Sequence, residues 1–478
     1  MNHLNMTRYA GLLALTLALG VLGVRAQDQS EDSTRNDAKP KPAARGVSQS
    51  DIDQQEPPDP LQPDNTPLTG AQEPTLGTTE LRHSFWVPGV QVATTIQSPG
   101  YKSWLADNYL IGSLSLLKAW SRSSFAVNYS GGGHISTDTQ RQPSGAYQEL
   151  ALSQTFEMKR LTLQFLDMYS YLPQSQFGFG GGTPLGDPGA GGYVVPTIPG
   201  LGGNYVPNQS IYASLGPRIS NAAVIQSTYV LSPRGSLTAS GSYGILHFTD
   251  PGNIDNYTTI GSLGYNYILN HEDTVGVVYR FSSYHYPGQP QAIGDQSFDI
   301  AYSKRITGRL ALSVSGGPDW TTFRVPVGKQ KSKLSANANV GVNYAIENGG
   351  LMLNYFHGIS GGGGLFTGST TDTVTAGLKH GITRVWSGQI NMGYARNRSV
   401  GANPSIVTTT SPNYTSWYAG GGVGRPIGRN FNFAASYTAN IGTTTAQAGC
   451  KTNCATTTQT YNYITLSLQW HPRPMTLP

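Results

Sequence analysis

The chain has 478 residues, of which 12% are charged and 38% hydrophobic, with a formal net charge of +5. A mean hydropathy of −0.29 is too polar for a bundle of membrane helices, and so small a charge balance without a basic stripe gives no case for nucleic acid. Glycine (59) and tyrosine (27) are abundant, which suits turns, close backbone contacts and aromatic girdles.

Arg8 supplies a short positive region, Ala10 to Val24 is apolar and uncharged, and Val24-Arg25-Ala26 fits a small-residue cleavage pattern. Residues 1–26 are read as a secretion signal, because the apolar run falls short of the roughly 20 residues that a membrane helix needs. Through residues 27–83 the apolar pattern disappears. Pro40, Pro42, Pro57, Pro58, Pro60, Pro63, Pro67 and Pro74 alternate there with acids, Gln, Ser and Thr. Such a segment buries too little apolar surface to offset its ordering entropy, so a disordered tail is expected. It is a spacer or, through residues 27–80, a docking segment for a cell-wall or periplasmic partner.

From residue 84 to residue 471 the pattern has a period of two. Leu334, Ala336, Ala338, Val340, Val342, Tyr344 and Ile346 share one parity, and Ser335, Asn337, Asn339, Gly341, Asn343, Ala345 and Glu347 share the other. A pleated strand sends these sets to opposite faces. The segment is too long for an ordinary soluble strand but suits a tilted crossing of a bilayer, which takes about 9–11 residues. Seventeen such strands are placed near 108–120, 122–135, 146–159, 160–173, 220–233, 234–249, 256–270, 271–286, 295–307, 308–323, 333–347, 350–360, 371–383, 384–398, 414–427, 428–441 and 459–471.

Tight turns alternate with longer loops rich in Gly, Pro, Ser, Thr and Asn. The turns include Ser121-Arg122, Lys159-Arg160, Pro233-Arg234, Thr383-Arg384 and Gly428-Arg429. The strand at 108–120 ends in a tight turn, so a periplasmic tail requires one more strand before it. Val90, Val92, Thr94 and Ile96 alternate with Gln91, Ala93 and Thr95 and supply one near 84–97. The expected fold class is all-β: a transmembrane antiparallel up-and-down barrel of about 18 strands, with 16 as the alternative. Trp120, Tyr229, Tyr267, Trp386 and Trp470 lie near strand ends, where an interfacial girdle belongs.

The final strand, Tyr461 to Trp470, alternates apolar residues and ends in an aromatic. On this and on the strand pattern, residues 84–471 resemble Gram-negative outer-membrane barrels of the porin-like kind. The likeness departs at the C-terminal tail, residues 472–478. The resemblance implies an outer-membrane location with the N-terminal tail in the periplasm. It also implies contact with membrane lipid and lipopolysaccharide, and recognition by the barrel-assembly machinery; a homotrimer stays open.

Several residues are candidates for function. Arg280 opposes Val277, Tyr279 and Phe281 in parity and is expected inside, as are Asp299, Lys379, Glu149 and Glu157. A cation on the lipid face at the bilayer midplane costs roughly 2–4 kcal/mol, which supports that phasing. These groups read as a weakly charged pore lining, as solvated lumen residues, or for Arg280 and Asp299 as a brace between strands. The long outer loop 174–220 is the third by order. In porins resembling this architecture the third loop narrows the pore, which makes Phe177, Phe179, Asp187 and Tyr193 constriction candidates. A solvent-exposed loop is the rival reading. Gly361 to Gly364 reads as a flexible loop. Cys450 and Cys454 read as a local disulfide in an exported protein.

His357 and His380 lack a serine and a carboxylate at interpretable spacing, so no catalytic centre, metal or cofactor is expected. The leading function is a passive channel for small polar solutes. The rivals are a component of polymer or protein export and a closed structural or adhesive barrel.

Overall fold

The computed structural model describes residues 84–99, 104–137, 144–172, 178–179, 211–212, 217–289, 291–324, 331–362, 364, 367–400, 413–445 and 456–477. In chain order the strands are β1 (Phe85–Pro99), β2 (Leu105–Ala119), β3 (Ser123–Ser136), β4 (Gly145–Glu157) and β5 (Leu161–Leu172), then the two-residue β6 (Gly178–Phe179) and β7 (Ile211–Tyr212). There follow β8 (Arg218–Val230), β9 (Gly235–Phe248), β10 (Asn256–Ile268), β11 (Asp273–His285), β12 (Ala292–Thr307), β13 (Leu310–Arg324) and β14 (Lys331–Ile346). The last are β15 (Gly349–Ser360), β16 (Ser369–Gly381), β17 (Ser387–Ser399), β18 (Asn413–Ile427), β19 (Phe431–Thr445), β20 (Thr456–Trp470) and the two-residue β21 (Met475–Thr476).

Eighteen of these strands, β1–β5 and β8–β20, pair antiparallel with their neighbours in sequence, and β1 closes on β20 with Val90 opposite Trp470 and Pro99 opposite Tyr461. The result is a closed all-β barrel, and each of the eighteen expected strands is present. Its strands run 12 to 16 residues. At about 3.3 Å per residue and a tilt near 40°, thirteen residues rise roughly 33 Å, which matches a hydrocarbon core of about 30 Å. Short turns and both barrel termini share one end; the longer connections share the other. The tail is tied back, since Phe85 pairs with Thr476 and Trp86 with Met475.

The two faces differ as the alternation requires. Ile300 is 64% exposed while its neighbour Asp299 is 2% exposed. Around it, Leu263, Val277, Tyr279, Phe281 and Phe298 lie on the outer face, and Thr238, Ser242, Asn266, Ser282 and Ser297 are buried on the inner one. An apolar exterior around a polar interior inverts a soluble protein and suits lipid outside. Asp167 is an exception. It shares the outer parity of Leu163 and Phe165, and it accepts a 2.7 Å hydrogen bond from the Asn221 amide on β8. That bond satisfies one carboxylate oxygen on an otherwise apolar face.

Candidate functional site

The connection between β15 and β16 leaves the wall. On β15 the residues Leu351 and Leu353 face outward, and two-residue alternation would send Ile359 outward too. Instead Ile359 is buried in a cluster with Tyr284, Tyr286 and Ile293, against which Ile254, Phe323 and Val400 pack. Its partners sit on β11 and β12. Wall neighbours of β15 are only β14 and β16, so the hairpin tip must cross a chord of the barrel mouth.

Polar contacts latch the tip there. The Tyr284 hydroxyl donates to the Ile359 carbonyl at 3.2 Å, and the Asn256 amide donates to the Gly361 carbonyl at 2.9 Å. The Ile254 amide donates to the Gly364 carbonyl at 2.8 Å, and the Val400 amide to the Gly368 carbonyl at 3.3 Å. The Thr367 hydroxyl donates to the Gln291 side-chain carbonyl at 2.5 Å. At the base, Ser360 lies 2.9 Å from Ser369 and 2.6 Å from Thr371, whose hydroxyl donates to Asn397 at 2.7 Å.

Two glycines make this approach feasible. Gly364 has φ +95° and a Cβ there would lie 2.7 Å from the Phe248 ring; Gly368 has φ +82° and a Cβ there would lie 2.1 Å from Ile293 Cδ1. Both requirements, left-handed backbone and no side chain, are met only by glycine. Where the sequence reads as a flexible loop at Gly361 to Gly364, Gly361 and Gly364 are held by contacts to β10 and the residues before it. Tyr286, just past β11, is fully buried, and burial together with the neighbouring Tyr284 phenol holds its own phenol well above the ordinary range. It stays neutral at the mouth.

Below the hairpin, β12 and β13 carry three inner-face carboxylates. Asp295 accepts from the Thr321 hydroxyl at 3.1 Å, and Asp299 accepts from Ser297 at 3.2 Å. Asp319 lies across from Ser297. Arg280 on β11 stands 3.9 Å from Asp299. One oxygen each of Asp299 and Asp319 is buried without a hydrogen-bond partner among the described residues. Three carboxyl groups thus cluster beside one guanidinium on this stretch of inner wall. Among the described residues no group of three His, Cys, Asp or Glu has metal-holding geometry.

Of the lumen candidates, the structure brings Arg280 and Asp299 together. Lys379 lies apart, on β16 opposite Gly350 and Gln389. Glu149 lies on β4 opposite Ser130 and Ser170, and Glu157 at the turn end opposite Thr162. Phe177, Asp187 and Tyr193 fall outside the described residues, as do Cys450, Cys454, the signal and the tail; Phe179 is described only by its backbone pairing with Ile211. Sequence reasoning missed Asp295 and Asp319, although alternation places both on the parity of Asp299. It missed Tyr284 and Asn256 because their partners are distant in sequence. His357 does have a carboxylate: Asp372 lies 2.5 Å away and also holds Arg398 at 3.0 Å. Their register sets them on the outer face near the loop end, an ion-pair cluster rather than an inner-wall site.

No protein-family model matches the chain, and no curated protein resembles it. Solved structures do. OpdQ of Pseudomonas aeruginosa is similar at 9% identity and a TM-score of 0.41, over 82% of this chain and 99% of that one. The outer membrane protein OpdK of Pseudomonas aeruginosa is similar at 9% and 0.41, over 81% and 99%. OccAB3 of Acinetobacter baumannii is similar at 11% and 0.37, over 81% and 99%. Likeness at this level assigns no solute to this chain.

Proposed function

We propose that the chain is an outer-membrane channel of the porin kind, through which small polar solutes diffuse without covalent chemistry. The observation that carries this reading is the inversion of the wall: an apolar exterior around an interior of Ser, Thr, Asn, Gln and a few charges. An eighteen-stranded closed barrel is wide enough to hold an aqueous channel. The latched hairpin then acts as a constriction at the loop end, and Arg280, partly exposed on the inner wall beneath it, meets the solute that passes. In this reading the turns and the 27–83 tail face the periplasm, lipopolysaccharide and lipid surround the wall, and the assembly machinery inserts it. Association as a homotrimer belongs to the same proposal.

The docked hairpin also supports a rival, a closed structural barrel. Single-channel recording of the refolded mature protein in planar bilayers separates the two. Steady ohmic openings are expected. A silent bilayer from protein that still shows heat-modifiable gel migration would defeat the channel reading in favour of the closed barrel.

A further inference from the structure

The turn end carries a charge pattern that a polar lumen does not require. Ladder pairing continues one rung beyond several strands: the carbonyls of Arg122, Arg160, Arg234 and Arg309 accept from the amides of Glu157, Val230, Ile268 and Ala345, each at 2.8 Å. The same rung joins the Glu272 carbonyl to the Arg305 amide at 2.8 Å. Because the ladder is intact, alternation still holds, and it sets this rung on the inner parity. Arg122 follows the parity of the inner-face Ala126, Arg234 that of Thr238, and Arg305 that of Asp299 and Ala301.

Arg122 stands across from Glu157 and Arg305 across from Glu272, so those pairs offset one another. Arg160, Arg234 and Arg309 stand across from an apolar residue each, are exposed, and make no ion pair among the described residues. The arc spans β5 to β13. On the other half of the same rim the rung holds Asn348 with Gly381 and Asn430 with His471, which bring no acid. These three arginines thus share one arc of the rim, and Lys379, exposed on the inner parity near the same end, adds a cation on the other half.

We infer that Arg160, Arg234 and Arg309 form an anion-collecting vestibule at the turn-side mouth, suited to small multivalent carboxylates or phosphates. The inference deepens the channel reading and rests on it. Guanidinium forks match carboxylate and phosphate oxygens. Arg160 and Arg234 stand two strands apart, about 10 Å, close to the Debye length of about 8 Å at physiological salt, and Arg309 stands four strands further along, about 19 Å. The arc therefore acts as a local field that raises anion concentration at the mouth, rather than as a chelating pocket.

The test uses the refolded full chain and tripolyphosphate as the probe. Calorimetric titration in detergent at low salt should show binding that weakens by about tenfold in the triple variant R160Q/R234Q/R309Q, as three screened contacts are lost. Arg396→Gln, on the outer face at the other end, should leave it unchanged. In bilayers under a KCl gradient, the triple variant should move the reversal potential toward cation preference. Equal binding in wild type and triple variant, or an unmoved reversal potential in a conducting triple variant, overturns the inference. A silent bilayer counts against the channel reading alone, and the calorimetry then decides the arc by itself. Heat-modifiable migration of each variant confirms that the barrel has formed.

Discussion

The two ends of the barrel are made by the same strands under opposite rules. At the turn end, connections of two to five residues each join strands adjacent in sequence and hold their register, with one shift between Arg305 and Thr307. At the loop end the stretch 359–368 finds partners 75, 76 and 105 residues away. Local turns leave little freedom to lose and hold one geometry. A docked hairpin is held by a handful of separate contacts, each net worth about 1 kcal/mol. The loop end is therefore where the barrel can store two states, and the turn end is where it holds charge at fixed positions.

Substitutions at glycine give the sharpest contrast. Gly368→Ala should disturb the hairpin most, by about 1–3 kcal/mol of overpacking against Ile293 and about 1–2 kcal/mol of left-handed strain. Larger single-channel conductance is the expected result; unchanged conductance would mean the hairpin does not set the constriction. Gly428, at the turn end, also has a positive φ, +67°, but nothing lies within 4 Å of its Cβ position. Gly428→Ala should cost only the strain, about 1–2 kcal/mol, read as a lower unfolding midpoint without altered conductance.

Tyr284→Phe removes one latch and should cost about 1 kcal/mol of docking, visible as more frequent excursions to the larger conductance. The smallest effect is electrostatic. Arg280→Gln removes the partly exposed cation beside Asp299 on the inner wall, so the reversal potential should move toward cation preference with conductance nearly constant. A shift toward anions would contradict the placement of that guanidinium on the solute path.

The eighteen strands were legible because their signal is local: Leu310, Leu312 and Val314 against Ala311, Ser313 and Ser315 states a face within six residues. Even β1, with Pro88 and Gly89 inside it, could be found from the parity of turns. The latched hairpin was not legible. Its glycines read as freedom, and only contacts with Phe248 and Ile293 reveal that they are required. Asp299 was noticed through its alternation with Phe298 and Ile300, yet Asp295 and Asp319 carry the same signal and were passed over. The turn arginines stood in plain view at Ser121-Arg122, Lys159-Arg160 and Pro233-Arg234. Their meaning depends on a rung of backbone pairing that sequence does not display.

The seam between β1 and β20 has a consequence for the order in which this molecule comes into being. Thr95 and Thr465 touch at 3.1 Å across 370 residues, whereas Thr94 and Asn108 in the first hairpin are 14 apart. For a free chain the longer closure costs about 3 kcal/mol more in loop entropy. That penalty shrinks as the intervening hairpins form and bring the two edges together. The seam is thus the last ladder to form, and the return of Met475–Thr476 onto the start of β1 adds a final stitch to it. Until that moment the nascent sheet has two open edges, exposed to any strand that reaches them first.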